Sequence, residues 1–263
     1  MAKAREKDRF WTGTFDKLPR EKQRKILDTA KEVFAEYGYA GANIDRIARS
    51  AGISVGGLYK YFRNKENLFL TLIREAHDLL ETSLDEILGT DAPFLAKIER
   101  IVDAAIDFSL KDPKLIQLYI GWTTQELAPM SIGLSRTVEG VAASRYTALV
   151  SEARDRGELP PDTDAGMTAF CLDNIFLMVQ FAYASDYYRE RIRLFAGGEG
   201  LPDKRRVIDG VLRFISFQLP GSPRGDENRQ EQERHGKGEE GRVVPPETLP
   251  PDGDEGPESG DHP

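Results

Sequence analysis

Apolar residues recur along most of this chain with the spacing of helices rather than that of strands. The first helix is predicted to begin at Pro19, whose fixed φ suits a first turn, and to end at Gly38. Its apolar face consists of Ile26, Ala30, Val33, Phe34 and Tyr37. Because these positions lie three or four residues apart, they form one stripe that needs another element to cover it.

Three polar residues mark the starts of the next helices. Asn43, Ser54 and Asn64 each carry a side-chain oxygen that can accept hydrogen bonds from the free N–H groups of a first turn. Gly52 is predicted to stop the second helix, and the third is short. The fourth helix is predicted to run from Asn64 to about Leu88.

The chain keeps this helical pattern up to residue 218. Further helices are predicted near 94–110, 113–127, 133–156, 163–195 and 203–218, and most of the breaks between them contain Pro or Gly. No run keeps the alternation of a strand between turn signals, so we predict an all-α fold. No stretch approaches 18 consecutive apolar residues, so no membrane-spanning helix is expected.

The last segment, residues 219–263, differs from the rest in composition. It contains 8 Pro and 8 Gly and no aromatic residue. Such a segment cannot bury enough apolar surface to offset its ordering entropy, so we predict a disordered acidic tail. Residues 1–18 are predicted to be a flexible basic arm, which leaves two folded domains at 19–63 and 64–218.

Charge is distributed unevenly along the chain. The net charge is −8, yet residues 1–75 carry 16 Lys and Arg against 10 Asp and Glu. A basic end on an acidic protein is typical of a localised site for a polyanion, although chance variation of surface charge explains the asymmetry equally well. The chain has one cysteine and no apolar leader of the signal-peptide kind, which favours a cytoplasmic location.

Residues 43–62 have the layout of two helices joined by a tight turn. Ala48 is small enough for a second helix to cross closely, and Gly52 can adopt the positive φ that the turn requires. Leu58 and Phe62 lie four residues apart and are predicted to face the core. The short second helix then exposes polar and aromatic side chains, an arrangement that can enter the major groove of DNA.

This segment is part of a longer pattern that resembles the TetR-type bacterial transcription regulators. The motifs are Ile26-Leu27-x-x-Ala30, Val33-Phe34, Gly38-Tyr39, Ile47-Ala48, Ala51-Gly52-Ile53-Ser54, Gly56, Leu58-Tyr59-x-Tyr61-Phe62 and Lys65-Glu66-x-Leu68. Each motif alone is common, whereas all of them in order and at this spacing are specific. The resemblance implies an N-terminal three-helix helix-turn-helix domain that binds DNA. It also implies a C-terminal helical domain that binds a ligand and dimerises, although that part of the chain is similar only in its helical layout.

The resemblance also implies a role for each matched position. Ser54, Val55 and Gly57 fall where such regulators touch bases or nearby phosphates, and Tyr59 and Tyr61 fall where they usually contact phosphates. Gly57 departs from the side chain that many members carry there. This glycine removes one possible base contact, so specificity must rest on neighbouring residues or on DNA shape.

Four further residues complete the predicted DNA site. Lys60 fits a contact to a phosphate or base edge, and Lys65 fits a backbone contact. Asn43 fits a cap whose neighbouring N–H groups face phosphate, in place of the Thr that many members have. For Arg46, DNA contact and simple solvation of a helix face remain equally open.

The segment 167–183 is apolar nearly all round, which indicates burial on more than one side. A second copy of the chain, joined through this helix and the last one, explains that pattern, and a wholly internal core in a monomer is the alternative. A ligand pocket or an ordinary core both fit the aromatic and polar residues of this domain. The pocket candidates are Gln117, Tyr119, Trp122, Phe170, Asn174, Phe176 and Phe181.

The sequence therefore predicts a sequence-specific DNA-binding transcription regulator, a homodimeric repressor released from a palindromic operator by a small-molecule effector. No nucleophile motif, phosphate-binding loop or zinc-ligand cluster is present, so we expect no catalytic residues, no metal and no cofactor. The alternatives are a non-catalytic helical adaptor and an architectural DNA-binding protein without an effector. No membrane partner is expected.

Overall fold

A computed structural model of the protein describes residues 9–123, 127–198 and 200–218. These ranges are helical and contain no strand, which confirms the predicted all-α fold. The helices are α1 (Gly13–Asp16), α2 (Arg20–Gly41), α3 (Ile44–Ala51), α4 (Val55–Phe62), α5 (Lys65–Leu88), α6 (Phe94–Lys111), α7 (Pro113–Trp122), α8 (Ala128–Asp155), α9 (Ala165–Ala184), α10 (Asp186–Ala196) and α11 (Lys204–Gln218). The predicted tail, 219–263, and the first eight residues of the predicted arm lie outside the described residues.

The helix starts follow the polar residues that predicted them. The side chain of Asn43 accepts a hydrogen bond of 2.7 Å from the N–H of Asp45, and Asn64 accepts one of 2.7 Å from Asn67. Gly52 ends α3 with a φ of 73°, a left-handed conformation that residues with a Cβ rarely adopt. These local signals fix the boundaries of the short helices, which have too few turns to be stable alone.

The end of α2 is less regular than its glycine predicts. Gly38 has a φ of 68°, so the regular helix is interrupted there as expected, but the chain makes another short helical turn up to Gly41. Tyr39, in this extra turn, stacks on Phe34 and packs edge-on against Phe69 of α5. The extra turn is therefore held by aromatic packing that the helical spacing of α2 does not reveal.

The segment before α2 is folded rather than a loose arm. Residues 13–16 form α1, and the ring of Phe15 is buried 4.7 Å from that of Phe62. The side chain of Gln23 donates hydrogen bonds to the carbonyls of Phe15 and Leu18, both at 3.0 Å. The prediction of a flexible arm fails for residues 9–18, because one large aromatic side chain and these hydrogen bonds attach the segment to the helical core.

Helix α7 belongs to two parts of the molecule. On one side Leu115, Leu118 and Trp122 join the apolar core of α1–α5, where Trp122 lies 6.2 Å from Phe69. On the other side Ile116 packs with residues of α9. The N-terminal core therefore extends beyond residue 63, and α7 connects it directly to the larger helical domain.

The second core fills the space between α5, α6, α8, α9 and α11. The predicted single helix 163–195 is two helices, because Ser185 has extended backbone angles (φ −126°, ψ 132°) between α9 and α10. The change of direction buries the last residues of α9, including Tyr183, whose hydroxyl donates to the carbonyl of Pro202 at 3.4 Å. No Gly or Pro marks this break, which is why the sequence did not reveal it.

Helix α9 is also, within the described residues, long and apolar enough to cross a membrane by length and composition. That outcome differs from the expectation that no such segment exists, because the few polar residues of α9 interrupt its apolar run but leave the helix as a whole strongly apolar. One such helix is weak support for a membrane span. Core helices of soluble proteins have the same length and composition, and one face of α9 lies in the second core.

Candidate nucleic-acid interface and ligand cavity

Helix α4 projects from the N-terminal core with one face buried and the other open. Leu58 and Phe62 are buried as predicted, whereas Tyr59 is 46% exposed and Lys60 is exposed. Ser54 begins the helix, and its hydroxyl accepts a hydrogen bond of 3.1 Å from the N–H of Gly57. A short helix that is anchored on one side and carries a phenol and an ammonium group on the other can lie in a DNA groove.

The C-terminal end of α4 is held by the segment that precedes α2. The backbone N–H of Thr12 donates to the carbonyl of Tyr61 at 2.8 Å, and its hydroxyl donates to the carbonyl of Lys60 at 2.6 Å. Tyr61 is half-buried, with its ring 5.9 Å from that of Phe15. These contacts satisfy carbonyls at the end of α4 that lack a partner within the helix, and they fix its orientation.

The glycine at position 57 has a structural reason. A Cβ added there lies 3.1 Å from the hydroxyl oxygen of Ser54, closer than most side-chain contacts allow. Val55 is half-buried against the core, so its contribution to the outer surface is partial. Ser54, Val55 and Gly57 were predicted to touch bases or nearby phosphates. The hydroxyl of Ser54 instead already caps α4, and the N–H of Gly57 donates the hydrogen bond that forms this cap.

The predicted residues outside α4 lie at the starts of the neighbouring helices. Asn43 caps α3, and the guanidinium of Arg46 lies 4.3 Å from the ring centroid of Tyr37, which pre-orients an exposed cation. At the start of α5, Lys65 donates to the carbonyl of Ala40 at 3.0 Å. Arg46 near the start of α3 and Lys65 at the start of α5 are therefore cations on the two helices that precede and follow α4, which carries Lys60.

A cavity of about 130 Å³ lies in the larger domain. It is bounded by α5, α6, α7, α8 and α9, and most of its lining is aliphatic or aromatic. Residues of α5 from Ile73 to Ile87 form one wall, so the helix that begins near Lys65 also borders the cavity. An apolar enclosure between helices with a few polar groups is typical of small-molecule sites.

Two of the seven predicted pocket residues, Tyr119 and Phe176, line this cavity. The others do not line it. Trp122 is buried in the N-terminal core, and Phe181 packs against the rings of Tyr119 and Tyr188. Gln117 donates to the carbonyl of Ala184 at 2.8 Å, which joins α7 to the end of α9.

The remaining two candidates lie on the outer face of α9. Phe170 is 60% exposed, and the exposed amide of Asn174 donates to the carbonyl of Phe170 at 2.7 Å. Met167, Cys171 and Met178 lie on this same face. Spacing within an apolar helix does not indicate which of its faces points inward, so these positions were not distinguishable from pocket residues.

The sequence interpretation missed the most polar residues of the cavity. His77, Glu139, Tyr146 and Asp173 all line it. Burial, together with the nearby Glu139, raises the pKa of Asp173 to about 6. Burial also raises the pKa of the Tyr146 hydroxyl. Asp173 is the one carboxylate in the largely apolar run 165–184, and it was the sequence signal by which this site could have been found, because ionisable residues rarely lie in apolar helices without a role.

A metal site is a less convincing use of these residues. His77, Asp78 and Glu81 place possible ligand atoms within 4.8 Å of one another on α5. Asp78 is engaged with Arg74 at 2.9 Å, and Glu81 with Arg145 at 3.1 Å. Two of the three groups therefore have cationic partners that a metal ion must displace.

Comparison with known proteins agrees with this geometry. The family model for bacterial regulatory proteins of the tetR family matches residues 26–72. The chain is 27% identical over 201 residues to an HTH-type transcriptional repressor of Streptomyces coelicolor, an alignment that covers 73% of this chain and 97% of that protein.

Solved structures share the fold over most of the chain. A TetR family transcriptional regulator from Chloroflexus aurantiacus is 26% identical, with a TM-score of 0.53 over 78% of this chain and 96% of that one. The regulator FadR from Bacillus subtilis, in complex with stearoyl-CoA, is 18% identical, with a TM-score of 0.57 over 71% and 95% of the two chains. Residues 26–72 therefore match the tetR family of bacterial regulatory proteins, and the chain is a DNA-binding transcription regulator of the helix-turn-helix type.

Proposed function

We propose that this chain is a cytoplasmic repressor that binds a palindromic operator as a homodimer and leaves it when a small molecule enters the cavity. The observation that supports this proposal is the position of α5 and α7. Each contributes buried residues to the N-terminal core and also lines the cavity. A ligand between these helices must therefore act on the helices that support the DNA-binding core. The repressor named among the relatives supports the direction of the response.

The proposed DNA contacts are those at the exposed ends and faces of three helices. Tyr59 and Lys60 present a hydroxyl and an ammonium group from α4, and Tyr61 adds a half-buried phenol. The remaining contacts come from residues at the starts of the helices, namely Asn43, Arg46, Ser54, Val55, Gly57 and Lys65. Cations and N–H groups in such positions attract phosphates, which supply most of the affinity for any DNA sequence.

The proposed dimer uses the outer faces of α9 and α11. Met167, Phe170 and Met178 form an exposed stripe on α9, and Phe214 and Phe217 of α11 are more than half exposed. Aromatic and methionine side chains on two helices favour a helical interface with a second copy. A twofold-symmetric reader also explains a palindromic operator, because each subunit then reads one half-site.

Coupling follows from the salt bridges that attach α7 to α2. Lys31 of α2 pairs with Asp112 at the start of α7, and Lys114 of α7 pairs with Glu32. A displacement of α7 by a ligand against Ile116 and Tyr119 is thus transmitted to α2. Half-sites are read at a separation of about one DNA turn, roughly 34–36 Å, so a shift of a few ångströms lowers affinity.

The test is the selection of bound sequences from random DNA by the purified protein. We expect a palindrome whose half-sites are spaced by about one helical turn or a multiple of it. The selected operator is then titrated in the presence of small molecules that bind the cavity, and binding of the two is expected to be mutually antagonistic. An architectural protein selects no palindrome, and an adaptor selects no DNA at all, so either result contradicts the proposal.

A further inference from the structure

We propose that the effector of this regulator is an apolar organic cation, which the carboxylates of Glu139 and Asp173 neutralise inside the cavity. The inference rests on the proposed function for the role of the cavity, and it adds the chemical class of the ligand.

The charge of the lining has one sign. Glu139 of α8 and Asp173 of α9 both border the cavity, and the described residues around it include no lysine or arginine. Arg145, on the same helix as Glu139, is instead engaged with Glu81 and Asp85 of α5. Among the described residues of the wall, no cation balances the negative charge of the cavity.

The two carboxylates differ in their partners. Glu139 accepts a hydrogen bond from the hydroxyl of Tyr119 through both oxygens, at 2.9 and 3.0 Å. Asp173 has no hydrogen bond or ion pair with any described residue. Its burial and the neighbouring Glu139 raise its pKa to about 6, so near neutral pH it is mostly ionised although it lacks a compensating group. A half-buried charge without a partner is partly desolvated, which is unfavourable, and a cationic ligand reduces that penalty.

His77 gives an independent indication that a ligand completes the site. It is 6% exposed, lines the cavity from α5, and neither ring nitrogen has a hydrogen-bond partner. Buried polar groups in native proteins are nearly always paired. Nδ1 lies 4.0 Å from the carboxylate of Asp78, beyond hydrogen-bond distance. Within the described residues, an imidazole and a carboxylate that both lack hydrogen bonds border one enclosure, which favours a ligand as their partner.

The remaining lining suits the apolar body and the charge of such a ligand. Tyr119, Tyr146 and Phe176 line the same cavity as the two carboxylates, and the face of an aromatic ring attracts a cation. Leu80, Leu84 and Ile101 supply aliphatic surface. A phosphate-bearing head group meets two carboxylates here instead of a cation, so an anionic ligand is disfavoured at this end of the cavity.

The test compares three probes that share one apolar chain and differ in charge: dodecyltrimethylammonium, dodecanol and dodecanoate, each below its micelle-forming concentration. Calorimetric titration of the intact protein without DNA is expected to give at least about tenfold tighter binding of the cation, or about 1.4 kcal/mol, than of either other probe. Equal or tighter binding of dodecanol or dodecanoate, or no binding of the cation, overturns the proposal.

Charge-neutral variants locate the effect. Asp173→Asn and Glu139→Gln are each expected to weaken cation binding by about tenfold and to leave dodecanol binding unchanged. Asp155→Asn removes a carboxylate from the exposed surface of α8 and is expected to change nothing. Circular dichroism checks the fold of each variant, and if Asp173→Asn does not fold, Glu139→Gln and the wild-type probe series still decide the question. Retention of the cation preference in both folded variants rejects these carboxylates as its source.

Operator binding is measured separately with the same probes. Cation binding that leaves operator affinity unchanged supports the ligand class and contradicts the proposed release mechanism. Cation selectivity in a protein that selects no operator contradicts the proposed function alone, so the two failures are distinguishable.

Discussion

The DNA-reading end and the cavity end of this molecule treat polar groups in opposite ways. In the helix-turn-helix, side-chain oxygens cap α3, α4 and α5, and Thr12 satisfies the end of α4. In the cavity, the buried ring nitrogens of His77 have no hydrogen-bond partner, and Asp173 has no hydrogen bond with a described residue. Satisfied polar groups stabilise one fixed arrangement, whereas unsatisfied ones are relieved by a bound molecule. The contrast indicates a rigid reader joined to a site that is complete only when occupied.

The largest effect is expected from the aromatic anchor of the reading end. Phe15→Ala is predicted to lower the free energy of unfolding by about 3–5 kcal/mol, because it removes a buried ring that packs on Phe62. Chemical denaturation measures the change, and Phe195→Ala, which removes a ring that is 80% exposed on α10, serves as the control. An unchanged midpoint for Phe15→Ala means that the segment before α2 does not pack in solution.

Removing a polar side chain is expected to change stability in opposite directions at the cavity end and at the DNA-reading end. His77→Leu is predicted to raise stability by about 1–3 kcal/mol, because it replaces a buried imidazole, whose nitrogens lack hydrogen bonds and lie no closer than 4.0 Å to the Asp78 carboxylate, with an apolar group. Ser54→Ala is predicted to lower stability by about 1 kcal/mol, because it removes the cap of α4. Thermal unfolding of both variants without ligand decides, and a destabilised His77→Leu protein contradicts the contrast between the two ends.

An exposed cation of the reading end should affect DNA binding and not the fold. Lys60→Ala is predicted to weaken operator binding and to reduce the slope of log K against log salt by about one unit per half-site. Fluorescence anisotropy at several salt concentrations measures both quantities. Lys111→Ala, an exposed lysine at the end of α6, is the matched control. Equal slopes for the two variants exclude Lys60 from the interface.

The smallest effect is a dependence of stability on pH. The folded-state pKa of Asp173 is raised to about 6, so the protonated form stabilises the fold below the unfolded pKa, and this contribution is lost as pH rises through about 6. Asp173→Asn is therefore predicted to gain stability relative to the wild type between pH 5 and pH 7.5, by about 1 kcal/mol after allowance for partial exposure.

The other titratable groups around the same cavity are Glu139, Tyr119, Tyr146 and His77. Unfolding of the wild type and of Asp173→Asn is compared at each pH, so contributions common to both proteins cancel. Asp155→Asn, at the surface, is expected to show no such trend. A constant difference between wild type and Asp173→Asn across this range contradicts the assignment.

Local chemistry explains how much the sequence revealed. Caps at Asn43, Ser54 and Asn64 and the turn at Gly52 depend on a few neighbouring residues, so the helix-turn-helix was predictable position by position. The folding of α1 onto α4 depends on a contact between residues far apart in the chain, and no local pattern encodes it. The same holds for the break at Ser185, which no breaker residue announces.

The cavity was less predictable because it depends on which face of each helix points inward. Helix α9 is apolar on both its buried and its exposed faces, so Phe170 and Phe176 were equivalent in the sequence although only Phe176 lines the cavity. Trp122 was assigned to the pocket by composition, whereas α7 turns this residue towards Phe69. Polar residues within apolar runs, such as Asp173, were the more informative signal.

The attachment of Thr12 to the end of α4 has a consequence for protein engineering. A residue 48 positions earlier in the chain bonds the carbonyl of Lys60, so α3 and α4 do not form a self-contained cassette. A chimera that transplants only residues 43–62 into another regulator leaves the end of α4 without this support. Grafts that include residues 9–18 are expected to keep the donor's operator preference, and an affinity tag fused close to Arg9 is better moved to the opposite terminus.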